Sequence, residues 1–164
     1  MMKHRELFRV KGLPVAQNKM FGSREAALMC PKGDILLAQD EETGFISNVL
    51  FDPELLKYDS DYQNEQACSE VFRRHLGDVK KIIDRYFYHR SLIEVGCGKG
   101  YFLEYLERAG YDIHGVDPAY EGGNPRIVKA CFTKELGQSA DGIILRHVLE
   151  HVQNPFQFLG MIAE

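Results

Sequence analysis

The spacing of apolar residues changes near residue 65. Before that point, short apolar stretches are broken by turn signals, and DILLAQ and GFISNVLF on either side of DEETG predict a β-hairpin. After it, apolar residues recur at helical spacing from about Glu65 to Tyr88, which predicts an amphipathic helix. We therefore predict a small N-terminal β-hairpin and connector module over 1–64 and a larger domain over 65–164.

The second part alternates short apolar runs with helical patterns. The runs LIEV, YDIHGVD, RIVKACF and DGIILRHV are strand candidates. YFLEYLERAG predicts a helix ending at Gly110, and Asn154 followed by Pro155 predicts the start of another. Because strands that alternate with helices pair in parallel, the predicted fold is α/β, a Rossmann-like parallel sheet of about four strands with flanking helices.

Composition narrows the possible partners. Hydrophobic residues make up 45% of the 164-residue chain, charged residues make up 27%, and the net charge is −4, as in a globular protein without a basic face for nucleic acid. MMKHRELFRV lacks the apolar core of a signal peptide and no apolar run approaches bilayer length, so we expect a cytoplasmic location and no membrane partner. The four scattered cysteines lack metal-knuckle spacing, and no metal site is predicted.

LIEVGCGKGYF combines a carboxylate with closely spaced glycines. Gly96, Gly98 and Gly100 occupy alternate positions after a strand candidate, where glycine lets a ligand approach the backbone and the next helix offers unpaired N–H groups. Glu94 would repel the pyrophosphate of a dinucleotide but suits an amino group or a sulfonium, and Asp117 is placed to accept hydrogen bonds from a ribose diol. The two acids favour S-adenosylmethionine over NAD as the cofactor.

IEVGCGKGYFLEYLERAGYDIHGVDPAY, followed by ADGIILRHVLEHVQNPFQFL, resembles the class I S-adenosylmethionine-dependent methyltransferases. The resemblance covers about residues 65–164 and implies a set of cofactor-binding residues: Glu94, Gly96, Gly98, Gly100, Asp117, Pro118, Phe132 and Arg146. Tyr62 joins this set through the resemblance of the preceding segment, in which it loosely matches a tyrosine position over the cofactor. In this set Pro118 and Phe132 would border the adenine. Arg146, with His147, would lie where the carboxypropyl end of the cofactor meets the substrate.

The segment GFISNVLFDPELLKYDSDYQNEQACSEVFRRHL resembles the approach segment of sugar C-methyltransferase-like proteins. This resemblance implies a small-molecule acceptor, a sugar or nucleotide-sugar, methylated on carbon or oxygen. In those relatives the N-terminal β module commonly binds zinc through cysteine pairs, whereas Cys30 here stands alone, so zinc is not expected.

The LEHV segment contains the candidate catalytic residues. The sugar C-methyltransferases that the chain resembles use a Glu–His pair at this position, which corresponds to Glu150 and His151. Such a pair can take a proton from a hydroxyl or from a carbon acid, and the alternative is a structural histidine. His147 and His151 are four residues apart and would share a helix face, but the H-E-x-x-H order and a third metal ligand are missing.

Two other functions stay open: a non-catalytic binding or scaffold module that keeps the cofactor fold, and an NAD(P)-dependent oxidoreductase.

The class I fold continues through further strands after the fourth, and without them the apolar strand GIIL would lie at an exposed sheet edge. We therefore expect a C-terminally truncated chain, which need not be active alone, or an edge covered by another chain.

Overall fold

The computed structural model describes residues 4–15, 19–55 and 69–163, and the chain divides into two compact units, Met1–Gln63 and Asn64–Glu164. Tyr62 lies outside the described residues. None of the helices in the described ranges is long and apolar enough to cross a membrane.

The N-terminal unit contains a three-stranded antiparallel sheet in the order β1-β2-β3. Its elements are β1 (His4–Pro14), α1 (Arg24–Leu28), β2 (Lys32–Asp40), β3 (Ile46–Asn48) and a single 3₁₀ turn at Pro53–Leu55. The predicted hairpin is confirmed as β2–β3, and Asp40 Oδ1 closes its turn by accepting hydrogen bonds from the backbone N–H groups of Glu42 and Thr43.

Strand β1 was not predicted, and its irregular pairing explains why. Its register against β2 shifts between Glu6 and Phe8 and again between Val10 and Leu13. Each shift inserts residues without a partner and breaks the alternation of apolar and polar positions that would mark a strand in the sequence.

The C-terminal unit has a four-stranded parallel sheet in the order β6-β5-β4-β7, flanked by helices, as predicted. Its elements are α2 (Glu70–Tyr86), β4 (Ser91–Val95), α3 (Tyr101–Arg108), β5 (Asp112–Val116), β6 (Ile127–Val128), β7 (Gly142–Leu145) and α4 (Pro155–Ile162), with 3₁₀ turns at Lys134–Leu136 and Leu149–His151. Asn154 caps α4 by accepting a hydrogen bond from the Gln157 N–H, and Pro155 follows, as the sequence predicts.

Side chains of β4 and β5 alternate between two apolar clusters. Leu92 and Ile113 join the cluster formed with α2 and α3, whereas Ile93, Val95 and Val116 pack with partly buried residues of the other face. Because alternate residues of a strand share a face, Glu94 projects with Leu92 toward α3. The Glu94 carboxylate therefore lies at the carboxyl end of β4, on the face of the sheet that the helices cover.

Two adjacent isoleucines of α2 test the packing of the first cluster. Ile83 is 5% exposed and belongs to the cluster, whereas Ile82 is 59% exposed. We expect Ile83→Ala to lower the free energy of unfolding by about 2–4 kcal/mol because it leaves a cavity, and Ile82→Ala to change it by about 0.5 kcal/mol or less. Urea unfolding followed by circular dichroism measures the free energy of unfolding of both variants. Equal losses would contradict the burial of Ile83 and the exposure of Ile82.

Candidate cofactor site

The three glycines in the turn between β4 and α3 differ in what a side chain at each position would contact. All have left-handed backbone angles, with φ of +69° at Gly96, +58° at Gly98 and +82° at Gly100. A Cβ at Gly96 would overlap Val148 Cγ2, and one at Gly100 would lie 2.6 Å from Ile127 Cδ1. A Cβ at Gly98 would meet nothing within 4 Å. The outer two glycines therefore allow close packing, and Gly98 faces open space where a ligand could approach.

Asp117, at the carboxyl end of β5, holds this turn in place. Its Oδ2 accepts a hydrogen bond of 2.7 Å from the Gly98 N–H, and its Oδ1 accepts one of 2.8 Å from the Ala119 N–H. Each carboxylate oxygen can accept a further hydrogen bond, so the bracing role leaves acceptor capacity for a hydroxyl. The sequence did not predict this support of the glycine turn, and the role of Asp117 as a ribose ligand stays a prediction.

Glu94 is the most deeply buried acid of the unit's described part, with an exposed fraction of 2%. Its Oε2 has no hydrogen-bond partner among the described residues, and its Oε1 lies 3.8 Å from Arg146 Nη1. Burial raises the pKa of Glu94 to about 7; the positive charge of Arg146 opposes the rise and the nearby Asp117 carboxylate adds to it. A buried carboxylate oxygen without a donor is costly, which points to a binding position for a donor from outside.

Arg146, which follows β7, is held by aromatic rings from two helices. Its guanidinium carbon lies 4.3 Å from the ring centroid of Phe102 on α3 and 6.0 Å from that of Phe72 on α2. The side chain is largely buried at the point where it approaches Glu94. Sequence reasoning missed both phenylalanines, because nothing in the spacing of the chain places them beside Arg146.

Pro118 and Phe132 lie near the carboxyl ends of β5 and β6. Pro118 directly follows Asp117 and is exposed, whereas Phe132 packs with the Val116 cluster on the face of the sheet opposite Glu94. Phe132 also lines a cavity of about 690 Å³ together with Phe158 of α4. The structure thus brings Glu94, the glycines, Asp117 and Arg146 together, and the contact of Pro118 and Phe132 with an adenine stays a prediction.

The candidate catalytic residues Glu150 and His151 lie in the exposed 3₁₀ turn that follows β7. Glu150 Oε1 lies 3.7 Å from His147 Nδ1, a contact that the sequence did not predict. His147 has a left-handed φ of +53°, a backbone conformation that is uncommon for residues other than glycine. The proposed Glu150–His151 pair stays a prediction.

The four-residue spacing of His147 and His151 would place both on one face of an α-helix, where two histidines can bind a metal. His147 precedes the 3₁₀ turn and has a non-helical backbone, so the two histidines do not lie one turn apart on an α-helix. Within the described ranges, no group of three His, Cys, Asp or Glu side chains could hold a metal ion.

Comparison with known proteins identifies the fold to which this site belongs. Residues 58–164 match the family model of a methyltransferase domain. The ubiquinone biosynthesis O-methyltransferase of Ruegeria pomeroyi is 31% identical to the chain over 114 residues, which cover 60% of the chain and 43% of that protein. The chain thus spans less than half the length of this relative. Since the match covers most of the chain and includes the whole β4–β7 sheet, the chain belongs to the methyltransferase-domain family.

Proposed function

We propose that this chain binds S-adenosylmethionine at the end of β4 and serves as the cofactor-binding part of a methyltransferase that acts on a small molecule. The proposal rests above all on Glu94, whose buried Oε2 lacks a donor among the described residues. A primary ammonium group offers both positive charge and hydrogen-bond donors to such an oxygen. The cofactor has this group in its methionyl part.

The charges around Glu94 fit a zwitterion. Arg146 Nη1 lies 3.8 Å from Glu94 Oε1, so a cationic and an anionic side chain meet at one point of the site. An amino acid placed there would direct its ammonium group to Glu94 and its carboxylate to Arg146. The same arrangement disfavours NAD, because a buried carboxylate would repel its pyrophosphate.

The remaining residues fit the nucleoside part. The open position over Gly98 allows a ligand to come close to the backbone, and the free acceptor capacity of Asp117 suits the hydroxyls of a ribose. When bound, S-adenosylmethionine supplies an activated methyl group on a sulfonium. The work of Glu94, Arg146 and Asp117 is therefore to orient that group toward the acceptor.

A proton acceptor is needed if the methyl group goes to a hydroxyl or to a carbon acid. Glu150 lies beside Nδ1 of His147, and a carboxylate at that nitrogen leaves Nε2 to accept a proton. His147 therefore joins His151 as a candidate base.

The acceptor is proposed to be a sugar or nucleotide-sugar, as the sequence resemblance implies, with methylation on carbon or oxygen. The Ruegeria protein is named as an O-methyltransferase, which favours a hydroxyl oxygen as the acceptor atom.

Calorimetric titration with S-adenosylmethionine, S-adenosylhomocysteine and NAD tests this function. We expect the first two to bind and NAD not to bind, because only the first two have an amino acid part for Glu94 and Arg146. Binding of NAD alone would support an oxidoreductase and contradict our interpretation of Glu94, and binding of none of the three would favour a scaffold module.

Glu94→Gln provides the residue-level control for that titration. Because it removes the charge that faces the ammonium group, we expect it to weaken S-adenosylmethionine binding by about 10- to 100-fold. Glu104→Gln, on the half-buried surface of α3, is the matched control and should leave affinity unchanged. Equal affinity in the Glu94 variant would remove the main support for the site.

The affinity should depend on pH through Glu94. With a pKa of about 7 in the free chain, this carboxyl is mostly protonated near pH 6 and mostly ionised at about pH 7.5. Since an ammonium group pairs with the ionised form, we expect affinity to rise about fivefold between pH 6 and pH 7. Above about pH 7.5 the ligand's own α-amino group begins to lose its proton, so the rise should level off there. The Glu94→Gln variant should show a flat profile, and a wild-type profile that is also flat would contradict this assignment.

Gly98 and Gly96 provide a comparison at similar backbone angles. Gly98→Ala adds a methyl group where the structure has open space, so we expect a loss of stability of about 1–2 kcal/mol from its backbone angle alone and a clear loss of cofactor affinity. Gly96→Ala adds an overlap with Val148 and should lose more stability. Thermal unfolding and titration measure the two effects, and full affinity in Gly98→Ala would show that the ligand does not approach there.

A further inference from the structure

Strand β1 is an open edge of the N-terminal sheet. In the order β1-β2-β3 it pairs on one side with β2, and no described strand pairs with its other side. Ten of its eleven residues are exposed. A long exposed edge offers a row of backbone donors and acceptors to a further strand.

At the first bulge of β1, the apolar residues Leu7 and Phe8 lie between the charged residues Glu6 and Arg9. Glu6 lies opposite Ala38 and Phe8 opposite Leu37, so Leu7 is the inserted residue. Leu7 and Phe8, which are 44% and 54% exposed, are thus adjacent at the edge. Glu6 and Arg9 contact each other across the bulge, with Nε–Oε1 and Nη2–Oε2 distances of 3.1 and 3.0 Å.

We propose that β1 pairs antiparallel with β1 of a second copy of this chain, across a two-fold axis between Leu7 and Phe8. In that register Glu6 of each copy lies opposite Arg9 of the other, and Leu7 lies opposite Phe8. Opposite charges and apolar pairs at facing positions both stabilise an antiparallel pair. The segment is therefore complementary to itself, as a two-fold interface requires.

The packing of the N-terminal unit favours such a partner. In its described part, Ala38 is the one buried hydrophobic residue, so this small sheet has little core of its own. A second copy would cover Leu7 and Phe8 and extend the sheet to six strands in all. All of these contacts lie within β1, and none involves the proposed cofactor site.

Charge-reversal variants at positions 6 and 9 test the proposed register. Size-exclusion chromatography with light scattering should show a dimer of the wild-type chain, and Arg9→Glu or Glu6→Arg should each weaken it about tenfold, because each puts like charges opposite one another twice per dimer. An equimolar mixture of the two variants should recover the dimer. Within each variant chain positions 6 and 9 still repel, so recovery can come only from contacts between chains.

A matched control uses an exposed pair on α2. Glu70 and Arg74 lie 3.3 Å apart and form the same kind of acid–base pair as Glu6 and Arg9. Glu70→Arg and Arg74→Glu should therefore leave the dimer unchanged. A wild-type monomer at concentrations up to about 100 µM would overturn the proposal. So would single variants that stay dimeric, or a mixture that stays monomeric.

A second measurement does not depend on the charged pair. Leu7→Cys and Phe8→Cys chains, mixed and oxidised, should form a disulfide between unlike chains, because the two positions face each other across the axis. The wild-type chain under the same oxidation controls for its native cysteines. Failure to cross-link would overturn this register.

Discussion

The buried carboxylate of Glu94 is the constraint on which the arrangement of the C-terminal unit depends. It is 2% exposed, faces α3 from the end of β4, and lies 3.8 Å from Arg146 Nη1. Arg146 in turn is held over the ring of Phe102. The positive charge of Arg146 and a hydrogen bond from the backbone N–H of Leu103 on α3 both oppose the cost of burying this carboxylate, so the end of β7 and the start of α3 both support one side chain of β4.

The glycine turn follows from the same geometry. The chain leaves β4 after Val95 and begins α3 at Tyr101, and left-handed backbone angles at alternate positions make this turn over five residues. Contact with Val148 and Ile127 explains two of the glycines, and the hydrogen bond from Gly98 to Asp117 fixes the third. Packing alone therefore accounts for Gly96 and Gly100, whereas no packing contact explains the glycine at 98, where a Cβ would meet nothing within 4 Å.

The sequence predicted those features that depend on local order along the chain. The hairpin at Asp40, the cap at Asn154 and the four parallel strands all have turn signals or periodicity in the sequence. Strand β1 was missed because its bulges destroy that periodicity. The stacking of Arg146 on Phe102 joins residues far apart in sequence, and no spacing rule relates them.

The pKa of Glu94 also bears on stability, and its sign is opposite to that of a salt-bridged surface acid. Its usual value is 4.5 and its folded value is about 7, so between these values the folded chain binds more protons than the unfolded one. The stability of the free chain therefore falls as pH rises through this window, because ionised Glu94 is buried without a donor for Oε2. A ligand that supplies an ammonium group removes that cost, and binding adds stability through mass action. In the free chain the C-terminal unit is thus least stable when Glu94 is ionised.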